Sequence, residues 1–401
     1  MKLELQKRID WVLGGILIVC LKPLVVFLGF LLKRDHQLTP RREICFIKML
    51  GGGSLVIALP ALLGIRNKYP DLKMTLVTTK GIADFGRALS VFDRVLVIDQ
   101  SSLLSLARSS IVACVSVFRV DCFIDFEVYS RLTTVFSVLT CARNRIGFYL
   151  ESAVWRKHLH THLIYFNRNA PVHLFYERVA GLLGAKPANF ADCQRQIYKK
   201  VQTSNRTKTI AIGPGCSSFA RERILSAAQW VETFKERLTQ NPEFAKARIE
   251  LLGGADDFAI ADEIDKNLIR IWPELKINNL CGKLPLLKSL EHLACADQFW
   301  GVDSALLHFA RLFGVYCLSF WGPTAPETRL KNFNIVEEVH YKKISCSPCV
   351  HVAEVPPCQG KNLCIQALFD SSIVENGETA DQIPVFLAEL SHKSTRVIPS
   401  R

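Results

Sequence analysis

Residues 47–70 read IKMLGGGSLVIALPALLGIRNKYP, with three glycines between a strand-like run and a helix-like one. The residues before them, 43–49, are apolar and rich in β-formers, as a buried parallel strand tends to be. From Ser54 onward, Leu55, Leu59, Leu62, Leu63 and Arg66 recur at helical spacing, and Tyr69-Pro70-Asp71 supplies a stop. Strand, glycine turn and helix make the first half of a βαβ unit. Gly51, Gly52 and Gly53 allow close backbone approach, and Ser54 falls near the positive end of the helix, where anions and polar groups bind. Two readings stay open at this point: a turn that is merely tight, or one that holds a ligand. The pattern is not G-x-G-x-x-G.

The same grammar repeats on both sides of a polar stretch. Strand signals recur at 73–78, 94–99 and 121–126, with helical stretches between them. After the linker-like residues 198–208, strand signals return at 209–212, 248–252, 298–300 and 315–320. Such alternation predicts parallel sheets covered on both faces, hence an α/β chain of two doubly wound, Rossmann-like domains facing a cleft. The predicted divisions are 1–40, 41–198, 209–345 and 346–401: a membrane-associated anchor, two Rossmann-like domains, and a cysteine-containing segment with a final helix at 383–390 and a tail.

Ligands of such folds bind beyond the carboxyl ends of strands. In the second half, Gly213-Pro214-Gly215-Cys216-Ser217-Ser218 follows a strand, and Arg221 and Arg223 precede a helix expected to begin near Ser226. Glycine, hydroxyl and guanidinium groups in one loop suit phosphate oxygens. Leu251-Leu252-Gly253-Gly254 is a further glycine turn, and Asp303 and Ser304 are placed to cap a helix through Ala305 and His308. Each loop alone is also an ordinary cap. Three of them in one domain point to a nucleotide site.

The chain has 401 residues, 49% hydrophobic, with a formal net charge of +13, so it is globular and attracted to acidic surfaces or substrates. No basic run alternates with aromatics, which argues against a nucleic-acid partner. Most of the 14 cysteines stand singly in apolar runs (Cys45, Cys114, Cys122, Cys141, Cys295, Cys317), as reduced core cysteines of a cytosolic protein do. Residues 11–32, WVLGGILIVCLKPLVVFLGFLL, are long enough to span a bilayer, but Lys22-Pro23 interrupts them. A lysine at the bilayer centre costs about 2.5–3.5 kcal/mol. With basic residues at both ends, a bent hairpin or an interfacial helix pair on the cytoplasmic side is expected rather than a simple crossing.

Taken in order, these motifs resemble the family 9 glycosyltransferases, the heptosyltransferase-like enzymes of bacterial envelope polysaccharide synthesis. The resemblance runs from about Ile44 to Cys364: the glycine turn with Leu59-Pro60-Ala61-Leu62; Phe123-Ile124-Asp125 and Arg145-Ile146-Gly147-Phe148; Pro214-Gly215-Cys216-Ser217; Leu251-Leu252-Gly253-Gly254; Asn279-Leu280-Cys281-Gly282; Asp303-Ser304-Ala305 with His308; and Phe320-Trp321-Gly322-Pro323-Thr324. It implies the GT-B fold and an inverting, metal-independent transfer of a sugar, with heptose the common precedent, from a nucleotide-diphosphate donor. The acceptor implied is a lipid-linked or core saccharide of lipopolysaccharide type. It places Ser217, Ser218, Arg221 or Arg223, Asp303, Ser304, Ala305 and His308 around the donor. Arg223 is favoured by its spacing to Trp230, and Ala305 stands where glycine is common.

Family members typically carry an aspartate, the acceptor's base, where this chain has Ser54. A serine hydroxyl needs a partner to take its proton. Glu127 is the leading replacement and Asp125 the second; the alternative for Glu127 is a helix cap or a pair with Arg131. The readings left open are a relocated base, altered chemistry, or a catalytically silent nucleotide-sugar-binding scaffold, with a nucleotide-sugar epimerase a further rival. No cofactor is expected beyond a possible structural zinc at Cys346, Cys349, Cys358 and Cys364, near His351, against which stand packing cysteines or a labile disulfide. The expected partners are a nucleotide sugar, a saccharide acceptor and anionic membrane lipid, at the cytoplasmic face of the inner membrane.

Overall fold

The computed structural model describes residues 3–33, 35–202, 207–216, 221–350 and 356–370. The expected final helix at 383–390, the tail, His351, Ser217 and Ser218 lie outside the described residues. The chain divides into two compact units, Met1–Lys200 and Val201–Arg401.

The N-terminal unit opens with α1 (Leu3–Leu32), then β1 (Glu43–Lys48), α2 (Gly52–Ile57), α3 (Leu59–Lys68), β2 (Lys73–Thr79), α4 (Lys80–Leu89), β3 (Arg94–Ile98), α5 (Leu103–Ser116) and β4 (Cys122–Asp125). It continues with α6 (Arg131–Leu139), β5 (Asn144–Tyr149), β6 (His162–Tyr165), α7 (Val172–Leu182) and α8 (Phe190–Tyr198). Its six parallel strands lie in the order β3-β2-β1-β4-β5-β6. Central β1 is buried at Ile44, Cys45, Phe46 and Ile47, so its apolar run is what a strand covered on both faces requires.

The C-terminal unit runs β7 (Thr207–Gly213), α9 (Ala227–Gln240), β8 (Arg248–Leu251), α10 (Phe258–Ile271), β9 (Lys276–Asn279), α11 (Leu286–Cys295), β10 (Ala296–Val302), α12 (Ala305–Phe313), β11 (Tyr316–Trp321), β12 (Glu337–Tyr341) and α13 (Leu363–Gln366). The order here is β12-β11-β10-β7-β8-β9, again parallel. Helix α9 begins where the sequence predicts: Ser226 is its N-cap, in a reciprocal capping box with Gln229.

The N-terminal segment differs from its expectation. It is one helix continuous through Pro23, neither a hairpin nor a helix pair. A proline removes a single i→i−4 bond, which the long flanking runs of helix-forming residues outlast. One side of α1 is docked: Ile18 packs with Val135 and Val138 of α6 and with Leu159. Asp10 accepts from Ser130 Oγ (2.6 Å), Arg131 N (2.9 Å) and Leu132 N (3.0 Å), capping α6 from outside. A Cβ on Gly14 would meet Arg131 Cβ at 2.6 Å, so glycine there permits the close approach. Much of the rest of α1, Phe27 and Phe30 included, is exposed and apolar.

Candidate functional site

Each sheet reverses its strand order once, between β1 and β4 in the N-terminal unit and between β7 and β10 in the C-terminal one. Open parallel sheets bind ligands beyond the strand ends at such reversals. All four loops at these points carry residues singled out in the sequence.

In the N-terminal unit the glycine turn follows β1, and the register of β1 on β4 pairs Ile47 with Asp125. Gly51 is left-handed (φ 78°), where a side chain is strained. Gly52 lies under the Phe85 ring, which a Cβ would meet at 2.8 Å, and Gly53 and Ser54 form the first turn of α2. Glu127 reaches this turn from across the sheet. Its Oε1 accepts from Met49 N (2.7 Å), Leu50 N (3.0 Å) and Lys48 Nζ (3.2 Å). Neither the helix cap nor the Arg131 pair occurs; the glutamate ties the β4 loop to the backbone that leads into the glycines. Burial alone would lower the Lys48 pKa, but Glu127, by charge and hydrogen bond, together with Tyr176 and Asp125 outweighs it and holds the ammonium charged.

Asp125 sits beneath this loop with no exposed side-chain surface. Its Oδ1 accepts from Glu127 N (2.9 Å) and its Oδ2 from Thr133 Oγ1 (3.0 Å). Oδ2 also lies 3.2 Å from Arg156 Nη2 and 3.7 Å from His160 Nε2, both fully buried. Burial would raise the carboxyl pKa; Arg156 foremost, then His160, holds it below the ordinary aspartate value. Asp125 therefore cannot take a proton from an acceptor: it is enclosed and paired. Arg156 also donates to Ser130 O (3.1 Å), so the polar chain continues to Asp10 of α1.

In the C-terminal unit the loop after β7 and the start of α12 meet. Arg223 Nη1 lies 3.2 Å from Asp303 Oδ2 and donates to Asp303 O (3.2 Å), while Arg221 is exposed. Ser304 is the N-cap of α12 without a side-chain cap bond, and Ala305 is the first helical residue. The first-turn N–H groups of α12 thus keep their capacity for an anion beside a guanidinium. His308 Nε2 is 3.6 Å from Asp303 Oδ1. Burial would raise the Asp303 pKa, but Arg223, His308 and Arg329 drive it far below the carboxylate range. Burial lowers the His308 pKa more than Asp303 raises it, and Arg311 and Arg329 add to the lowering, so the imidazole is neutral at pH 7. Glycine at 213, 215 and 301 is required by packing: Phe299 lies against the first and third, and Asp257 against the second.

The cysteine segment folds onto the end of β11. Cys349 N and Val350 N donate to Pro323 O (3.1 and 3.0 Å), Ser347 Oγ donates to Gly322 O, and Cys358, Leu363, Cys364 and Ile365 join the unit's core. Burial first and neighbouring thiols second push Cys349 up to about 11 and Cys364 to about 12, so both are protonated. None of the 14 cysteines is joined in a disulfide in this structure. Among the described residues no group of three or more His, Cys, Asp or Glu side chains is arranged to hold a metal ion. Cys141, expected in the core, is exposed at a left-handed turn after α6.

Lys48, Arg156, His160 and Arg329 were not marked by the sequence reading. Lys48 gave a signal, as the one cation ending an apolar strand. Arg156 and His160 lie in the run WRKHLH at 155–160, where spacing alone does not say which residue turns inward.

The model of glycosyltransferase family 9 (heptosyltransferase) matches residues 133–358. A lipooligosaccharide heptosyltransferase 2 of Campylobacter jejuni is 23% identical over 169 residues, 41% of this chain and 50% of the relative. The chain thus spans about half the length of the curated relatives it matches. Among solved structures, E. coli heptosyltransferase WaaC with ADP-2-deoxy-2-fluoro heptose gives a TM-score of 0.58 at 17% identity, covering 83% of this chain and 99% of that one. E. coli ADP-heptose lps heptosyltransferase II gives 0.56 at 16% identity, covering 81% and 98%. These likenesses show the GT-B fold. With its family model spanning more than half of the 401 residues, the chain belongs to glycosyltransferase family 9.

Proposed function

We propose that this protein transfers a sugar, with inversion and without a catalytic metal, from a nucleotide-diphosphate donor to a lipid-linked or core saccharide in lipopolysaccharide-type synthesis. It works at the cytoplasmic face of the inner membrane, with α1 in contact with lipid. The observation that carries the reading is the head of α12. Its unfilled first turn lies beside Arg223, which Asp303 holds in place. A diphosphate leaving group gains negative charge as the glycosidic bond breaks, and fixed donors aimed at that charge lower the barrier. Neutral His308 offers a hydrogen bond without competing as a cation.

The base is Glu127. Asp125 is enclosed, and the neutral hydroxyl of Ser54 is no base unless a partner takes its proton. Lys48 and two backbone N–H groups hold Glu127 by Oε1 at the mouth of the glycine turn, so the acceptor's proton passes to Oε2. Asp125 is a positioning residue, through its bond from Glu127 N. A silent scaffold is the second reading, and the serine at position 54 favours it.

A panel of ADP-, UDP-, GDP- and dTDP-linked sugars, with and without membrane lipid extract, separates the two by nucleotide diphosphate release. A transferase consumes one donor only with extract. Glu127→Gln keeps an oxygen for the Met49 and Leu50 N–H groups, so it binds donor undiminished and loses turnover about 10²-fold or more. Donor binding without turnover in any extract supports the scaffold. Turnover without acceptor, with the released sugar altered, supports the epimerase.

A further inference from the structure

A second apolar surface stands out on the N-terminal unit. Helix α5 buries Ala113, with Val117 at its C-cap, against the sheet, in a cluster that also contains Phe136 of α6, so both helices cover one face. Its outward side is apolar: Leu104 is 80% exposed and Val115 71%, and Leu103, Ile111, Val112 and Phe118 are exposed with them. A soluble surface helix turns charge outward at these positions. Here the side carries only Arg108 and, just beyond it, Arg119, both exposed; of the two acids that flank residues 100–120, Asp99 accepts from Ser101 N, and Asp121 from the N–H groups of Arg41, Arg42 and Glu43.

This surface lies on the same face as α1. Asp10 sits at the first turn of α6 and Ile18 against Val135 and Val138 at its last, so α1 runs alongside α6 and its remaining residues, Phe27 and Phe30 among them, extend past the C-terminal end of α6. The chain leaving α5 reaches that same end, where Arg119 N donates to Thr140 O (2.7 Å). Lys22 lies on α1, and after Asp10, which is spent on the α6 cap, that helix carries no acidic residue as far as its end at Leu32.

We propose that the exposed face of α5 is a second membrane contact, set beside α1, so that the N-terminal unit rests on anionic phospholipid through two helices rather than hanging from one. This rests on the membrane reading above and adds α5 to it. The occupant follows from charge: an apolar face with cations and no acids complements an anionic lipid surface, whereas a second copy would bring Arg108 and Arg119 against like charges.

The full chain with Val115→Trp, in vesicles of phosphatidylglycerol and phosphatidylethanolamine containing dibrominated acyl chains, tests this. The expected result is that the emission gained over the wild type's six tryptophans is quenched by half or more, and that Arg108→Ala weakens partition to these vesicles about fivefold without changing partition to phosphatidylcholine. If the protein co-sediments with vesicles but the added emission is unquenched, α5 faces water or protein and the proposal falls while the α1 reading stands. If the protein does not co-sediment at all, both fall. Concentration-dependent self-association abolished by Val115→Lys, with no lipid quenching, assigns the face to a second copy and overturns the proposal.

Discussion

The two units bury the same kind of polar device near the reversal of each sheet. An aspartate is held by an arginine at 3.2 Å, with a histidine within 3.7 Å: Asp125 with Arg156 and His160, and Asp303 with Arg223 and His308. Removing one member leaves the others uncompensated. Asp125→Asn strands Arg156 in the interior and is expected to cost about 3–5 kcal/mol, read as a drop in the urea midpoint. Both histidines have their pKa lowered, by burial first and by neighbouring arginines, against the raising pull of aspartate. Their folded pKa lies below the unfolded one, near 6.5, so the unfolded chain binds the proton first as pH falls. This stability is complete above about pH 6.5 and is lost as pH falls toward the folded values; the aspartates, lowered in the same sense, add a second loss below about pH 3.9. A urea midpoint that is level from pH 8 to 7 and declines from 6.5 to 5 is expected. The decline should flatten in the double variant His160→Gln, His308→Gln; an unchanged slope would place the titration elsewhere.

Among the elements, the ones legible in the sequence are those whose apolar pattern had no competitor. The strands at 43–49, 73–78 and 248–252 stand as expected to within a residue or two, because buried parallel strands read as short unbroken apolar runs. Strands β9 (KINN) and β12 (EEVHY) were not legible, since each is an edge strand with polar residues that pairing to one neighbour alone fixes. Helix α1 was legible as apolar but not as continuous through Pro23, and nothing in its sequence announced that Asp10 caps another helix. Asp10→Ala removes an acceptor shared by one hydroxyl and two backbone N–H groups. A lost cap costs about 1–2 kcal/mol. Faster amide exchange confined to the first turn of α6 and to α1 is the expected readout, with β1 and β2 unchanged. Gly14→Leu drives a side chain into Arg131 and should release α1 by a different route with the same exchange pattern.

At the scale of the whole molecule, the repeated grammar of strand and helix was enough to read two parallel α/β sheets, and the order of the loops was enough to read the family. The convergence of particular side chains was not. Arg223 and Asp303 are 80 residues apart, and whether Arg221 or Arg223 turns inward depends on a short helical turn that no periodicity encodes. Placing donor recognition in one unit alone has a consequence that can be measured. A ligand that binds only the native C-terminal unit stabilises that unit by about 2.7 kcal/mol at a concentration a hundred times its Kd, and leaves the other unit to unfold as before. With a saturating nucleoside diphosphate, exchange should slow across β7, β10 and α12 while β1, β4 and α6 keep their rates. Arg223→Ala should weaken binding about 10- to 100-fold, the worth of one charge-assisted contact to a phosphate, and abolish the protection at an unchanged ligand concentration. Equal protection of both units in the wild type would instead mean that the nucleotide is read by the N-terminal loops as well, and the glycine turn would then be part of the donor site.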